Sequence, residues 1–158
     1  MKSIIAPGFL IASPGLMDPN FARTVVLMCI HSDDNALGLV INRASGLSVR
    51  RVFDDLSLAT NESMEHHEVL VGGPVQTHQG WVLFTEEGPL GPDEIEVGHG
   101  LRLSASRSIL ERIAANEGPD RYLLLFGYAG WGRTGRTCFP RCLQGRQCHS
   151  AGGGFSHR

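Results

Sequence analysis

Apolar positions along this chain come in short blocks, each closed by turn-forming residues. Residues 9–13 (Phe-Leu-Ile-Ala-Ser) are an apolar run stopped by Pro14-Gly15, which reads as a strand ending in a turn. Asp18-Pro19-Asn20 is a second turn signal, because the proline presets its own φ and biases Asp18 toward an extended backbone. Residues 24–30 are almost continuously apolar and β-branched at the start, the pattern of a strand buried on both faces. A polar loop over 31–35 and a second apolar run over 37–41 complete a predicted β-hairpin.

Farther along, Val49, Val52, Phe53 and Leu56 recur at helical spacing behind Ser48, an N-cap residue. Residues 61–67 are polar and read as loop. Residues 68–71 and 80–85 read as strands, and 94–97 and 101–103 alternate with period two. Ser106 or Ser108 caps a second helix whose apolar stripe is Ile109, Leu110, Ile113 and Ala114, ended by Gly118-Pro119. A last buried strand covers 122–128 and closes with Ala129-Gly130-Trp131-Gly132. The expected class is therefore α+β, a mixed sheet of about seven strands with two helices, rather than regular βαβ repeats.

Composition changes the picture at Gly132. Beyond it, residues 133–158 hold five Arg, three of the four Cys and no acid, with no hydrophobic periodicity. Of fourteen Lys and Arg the body thus keeps nine, against all sixteen acids, for a net charge near −7. The expected organisation is one folded domain over 1–132 and a Gly/Arg/Cys-rich disordered tail over 133–158. The N-terminus is too short and too interrupted for a signal peptide, and no window approaches about 18 apolar residues, so no membrane partner is expected. Cys29, inside the apolar run 25–30, reads as a buried reduced thiol, which suits a cytoplasmic protein.

Chemistry-bearing candidates are few. Gly72-Gly73-Pro74 after a strand could bring backbone N–H groups to a phosphate, yet it lacks the lysine of a Walker loop and the spacing of a dinucleotide fingerprint; a tight turn is the simpler reading. Arg23 and Arg43, with Asn42, flank buried strands, where they could hold an anion or be solvated strand-end residues. Asp18 with His31, His78 or His99 offers acid–base groups, but no Ser or Cys stands in a nucleophile-elbow context, so no catalytic residue and no enzyme is expected. Cys138, Cys142, Cys148 and His149, with His157, match no standard zinc spacing, so neither a metal nor another cofactor is expected. The tail arginines could touch nucleic acid weakly, while the acidic body repels it; specific DNA binding is not expected.

In combination, the stretches 8–26 (GFLIASPGLMDPNFARTVV), 37–43 (LGLVINR), 72–76 (GGPVQ), Ser106-Arg107 and 127–132 (GYAGWG) resemble the YqgE/AlgH family of bacterial proteins, in order and with ordinary spacing. The resemblance implies a flattened, barrel-like mixed β-sheet with helices packed outside, in an intracellular protein of ill-defined activity. Some members carry a transcriptional-regulator label tied to alginate production, although no helix-turn-helix or basic recognition helix is visible here. A shared site, if the resemblance carries one, would fall on the matched positions Asp18, Arg23, Asn42, Arg43, Tyr128 and Trp131 beside Gly72 and Gly73. The expected function is a non-enzymatic regulatory or adaptor protein acting through a protein partner or a small anionic ligand; direct DNA binding and an unrecognised enzyme site are the alternatives. After Gly132 the resemblance stops where further helix, strand and helix would follow, and the tail's composition suggests a shifted reading frame.

Overall fold

The computed structural model describes residues 7–31, 35–132 and 155–157. The chain divides into two compact units interleaved in sequence. Of the described residues, 7–31, 35–43, 72–75, 128–132 and 155–157 fall in the first; 44–71 and 76–127 fall in the second.

In the first unit, β1 (Gly8–Ala12), β2 (Val25–His31) and β3 (Asn35–Val40) are antiparallel neighbours, and β2 with β3 is the expected hairpin. The far half of β9 (Tyr122–Gly132) pairs antiparallel with β3, bringing Ala36 opposite Trp131 and Gly38 opposite Ala129. β2 supplies four consecutive buried residues, Val26, Leu27, Met28 and Cys29, because both of its faces are covered. Register shifts by one residue between Met28 and Ile30, so Cys29 sits in a bulge. The unit's core is Leu10, Val26, Met28, Ala36, Val40 and Ala129, with Phe21 packed against it from the loop after β1. Gly38 makes this packing possible. A Cβ there would meet Val26 Cγ1 at 2.6 Å and Met28 Sδ at 3.0 Å, so no larger residue fits without moving two core side chains.

The tail expected to be disordered lies mostly outside the described residues. Its described part, β10 (Phe155–His157), pairs antiparallel with β1.

The second unit holds β4 (Ala44–Ser48), α1 (Val49–Asp55), a 3-10 turn (Glu62–Glu65), β5 (Glu68–Val71), most of β6 (Val75–Thr85), β7 (Glu94–Gly98), β8 (Leu101–Ser104), α2 (Arg107–Ala114) and the near half of β9. Its strand order is β4-β5-β9-β6-β8-β7, and β5 runs parallel to β9 while β4/β5, β6/β8 and β7/β8 are antiparallel. The sheet is thus mixed, as expected.

Both helices begin where the sequence signals them. The Ser48 side chain accepts from Arg51 N–H at the start of α1, and Ser106 accepts from Ser108 N–H at the start of α2, each satisfying an otherwise orphaned donor. Val49, Val52 and Phe53 of α1 and Ile109 and Ile113 of α2 join Met64, Val69, Val82, Phe84 and Leu124 in one core. Neither helix is long enough to persist alone in water; burying such side chains, at about 1.5–3 kcal/mol each, holds them in place.

Candidate functional site

The residues singled out from the sequence meet in the first unit, around the loop that joins β1 to β2. That loop turns on Asp18: its carbonyl accepts from Phe21 N–H at 3.0 Å and Ala22 N–H at 2.7 Å, and its Oδ1 accepts from Asn20 N–H at 2.8 Å. This is the Asx-turn that Asp-Pro-Asn promises. Thr24, buried at the loop's end, donates its hydroxyl to Phe21 carbonyl at 2.7 Å.

Asn42 and Arg43, just past β3, reach back over the same loop. The Asn42 amide nitrogen donates to the Arg23 carbonyl at 2.9 Å while its Oδ1 accepts from Val25 N–H at 2.8 Å. One side chain thereby satisfies a donor and an acceptor of the neighbouring strand's first residues, and both ends of the amide are engaged. The Arg43 guanidinium donates from Nη1 to the Asn20 carbonyl at 2.8 Å and from Nη2 to the Ala22 carbonyl at 3.2 Å. Its planar fork suits two carbonyls presented side by side.

The consequence is a braced loop. Arg23 sits at φ +59°, a left-handed conformation that costs a non-glycine residue about 1–2 kcal/mol and persists only where surrounding bonds enforce it. The bracing falls on its own carbonyl, through Asn42, and on the carbonyl before it, through Arg43. Arg23, Pro19 and Asn20 are exposed, and Met17, at 75%, is the most exposed large apolar side chain among the described residues.

The glycine pair lies beside this group. Gly72 carbonyl accepts from Val40 N–H at 2.8 Å, tying the turn to the end of β3. A Cβ on Gly73 would collide with the Tyr128 carbonyl group and stand 2.5 Å from Ala129 N, so the glycine permits backbone-to-backbone contact with β9. Tyr128 is half-buried, and its ring edge lies where a Cβ on Gly130 would stand, at 3.0 Å. Trp131 is placed by its backbone opposite Ala36. Asp18, Arg23, Asn42 and Arg43 are therefore joined by direct hydrogen bonding around one loop, and Gly72, Gly73 and Tyr128 by close backbone packing next to it.

One further feature, an arginine–carboxylate cluster, was not visible in the sequence. In the second unit Arg102, 7% exposed, donates to the Gly88 and Pro89 carbonyls and lies 3.6 Å from both Glu86 and Glu94; Arg112 pairs with Glu86 at 2.5 Å. Leu101-Arg102-Leu103 read only as an alternating strand, and the acids that meet Arg102 come from the neighbouring strand β7 (Glu94) and from beyond β6 (Glu86). The Glu86 carboxylate raises the Arg112 pKa further by accepting its hydrogen bond. Cys29 is free and buried, and desolvation pushes its thiol up to about 12, so it is a poor nucleophile at neutral pH.

Among the described residues no group of three His, Cys, Asp or Glu is placed to hold a metal, and no helix is long and apolar enough to cross a membrane. Cys138, Cys142, Cys148 and His149 lie outside the described residues.

Residues 9–134 match the model of a family described as AlgH-like. A UPF0301 protein of Anaeromyxobacter dehalogenans is 45% identical over 134 residues, covering 80% of this chain and 68% of the relative. A UPF0301 protein of Paraburkholderia phymatum is 42% identical over 125 residues, covering 78% and 65%. This chain thus spans about two thirds of the length of these relatives. Among solved structures, the AlgH protein from Pseudomonas aeruginosa superposes with a TM-score of 0.68 at 40% identity, over 83% of this chain and 69% of that one. A Corynebacterium diphtheriae protein shares the fold at 20% identity, with a TM-score of 0.64 over 82% of this chain and 68% of its own.

Proposed function

This chain belongs to the AlgH-like family, and from that footing we propose that it is a non-enzymatic regulatory or adaptor protein that presents a fixed surface loop to a protein partner. The observation that carries this reading is the use made of the matched polar residues: Asn42, Arg43 and Asp18 put their side chains onto backbone groups of residues 20–25. Side chains so engaged set a shape. The shape they set displays Met17 and Arg23, an apolar and a guanidinium group of the kind that anchors protein interfaces. A loop ordered in advance loses little entropy on docking, which is where affinity is otherwise lost.

A protein partner is favoured over a small anionic ligand because the Arg43 guanidinium faces two carbonyls of its own chain. Direct DNA binding, the reading suggested by the regulator label, runs against the acidic body, whose charge repels a phosphate backbone. The reading sets the protein in the cytoplasm, where a buried free thiol such as Cys29 stays reduced.

The test is a photo-crosslinking amino acid placed at Met17 in bacterial cells, with the same group at exposed Leu90 as control. A discrete protein adduct from position 17, absent from position 90 and lost when Arg43→Ala loosens the loop, is the expected result. Identical adducts from both positions, or tight gel-shift binding to DNA at physiological salt, would overturn it.

A further inference from the structure

The second unit contains a feature that the loop reading does not use. A cavity of about 370 Å³ opens between α1, α2 and the strands β6, β8 and β9. Its walls are apolar, formed chiefly by Leu56, Val82, Leu110, Leu124 and Phe126. The volume lies within the range of pockets that hold small organic ligands. Gly80 of β6 contributes to the hollow by having no side chain: a Cβ there would touch only Phe126 Cε1, at an ordinary 3.5 Å.

Ser104, Ser106 and Arg107 line the cavity at and just before α2, and Asp55, His78 and Gln79 are its other polar lining residues. Ser104, 2% exposed, accepts from Ser106 N–H at 3.2 Å through its hydroxyl oxygen, so that bond leaves its proton to donate. Arg107 is oriented by two bonds: Nε donates to Glu111 at 3.1 Å and Nη2 to the Leu56 carbonyl at 3.0 Å, neither of which uses Nη1. The carboxylate that also borders the cavity, Asp55, is paired with Arg51 at 3.3 Å. A buried hydroxyl donor and a held guanidinium beside an apolar hollow complement a molecule with an apolar body and one carboxylate.

We propose that this cavity is a binding site for a small amphiphilic carboxylate, its apolar body on Leu110, Leu124 and Phe126 and its carboxylate on Arg107 and Ser104. The site lies within the second unit and is independent of the loop around Asp18.

The probe is 4-phenylbutyrate, compared with its uncharged analogue 4-phenyl-1-butanol, followed by amide chemical shifts of the full chain. The expected result is saturable shifts confined to residues around Gly80, 104–107 and Leu110, with a dissociation constant of about 1 mM or tighter. Arg107→Gln is expected to weaken the acid about tenfold while leaving the alcohol unchanged. Gly80→Val, which fills the hollow while keeping a strand-compatible residue, is expected to abolish binding of both with the thermal melt retained. The proposal is overturned if shifts fail to saturate or spread over the surface, if Arg107→Gln weakens acid and alcohol equally, or if Gly80→Val binds as the parent does. Shifts at these same residues that depend on protein concentration without the probe would assign the cavity to a second copy of the chain and overturn it equally.

Discussion

Replacing Asn42 by alanine removes one amide that serves two backbone groups at once, the Val25 N–H at 2.8 Å and the Arg23 carbonyl at 2.9 Å. A typical intramolecular hydrogen bond contributes about 0.5–1.5 kcal/mol net, so two give about 1–3 kcal/mol. Both bonds lie where water can reach, and water takes over part of the lost bonding, which places the expectation in the lower half, about 1–2 kcal/mol. Arg23 moves the figure little in either direction: once its carbonyl is released, its backbone can leave φ +59°, and the relief of about 1 kcal/mol is offset by the entropy of a newly mobile loop. Urea titration should show a lower midpoint with an unchanged slope, because the core is untouched. Hydrogen exchange gives the sharper reading: the Val25 amide should lose protection, while Val26 and Met28 deep in β2 keep theirs. A variant as stable as the parent, with Val25 equally protected, would refute the claim that Asn42 braces the loop.

Other substitutions probe other parts of the account. Gly73→Ala pushes a methyl group into the Tyr128 carbonyl and should cost about 2 kcal/mol or more in a urea titration, far beyond the intrinsic preference of alanine over glycine. Arg102→Met leaves Glu94, 9% exposed at its side chain, without the cation beside it; the expected loss is about 3–5 kcal/mol, and adding Glu94→Gln should restore part of it. Cys29 has its thiol pKa raised from 9.0 to about 12, so its contribution to stability is complete below pH 9 and declines as the unfolded chain alone ionises above that. The stability difference between parent and Cys29→Ala should therefore fall by about 1.4 kcal/mol per pH unit between pH 9 and about 12, measured by urea titration at several alkaline pH values.

The sequence made the frame of this fold legible wherever burial and local chemistry agreed. Ser48 followed by Val49, Val52 and Phe53 announced α1, and Ser106 with Ile109 and Ile113 announced α2, because caps and apolar spacing are properties of neighbouring residues. Strands without an apolar face were silent. β4, with Ala44, Ser45 and Gly46 all exposed, exists by pairing with β5, and the first half of β6, from Val75 to Gln79, carries almost no buried side chain. Residues 61–67 read as loop, yet Asn61 caps a 3-10 turn there whose Met64 is buried. Ala129, Gly130 and Trp131 are poor evidence for a strand, and only the ladder to β3 makes them one.

The sequence singled out the residues around this loop, but how their side chains are used was hidden. Spacing alone could show that Asn42 and Arg43 follow a strand. It could not show that they fold back some twenty residues to hold the carbonyls of Asn20, Ala22 and Arg23, because that contact is made by the hairpin register. The Arg102 cluster was hidden for the same reason. Its acids are sixteen and eight positions upstream, and they converge only through the turns before β7 and β8.

The adaptor role proposed for this protein depends on the loop over residues 18–24 holding one shape before any partner arrives. Backbone ¹⁵N relaxation of the free protein measures that directly. Order parameters of about 0.85 across residues 18–24, equal to those of β2 and β3, are expected. Values below about 0.6 in that loop, with rigid strands on either side, would contradict the account.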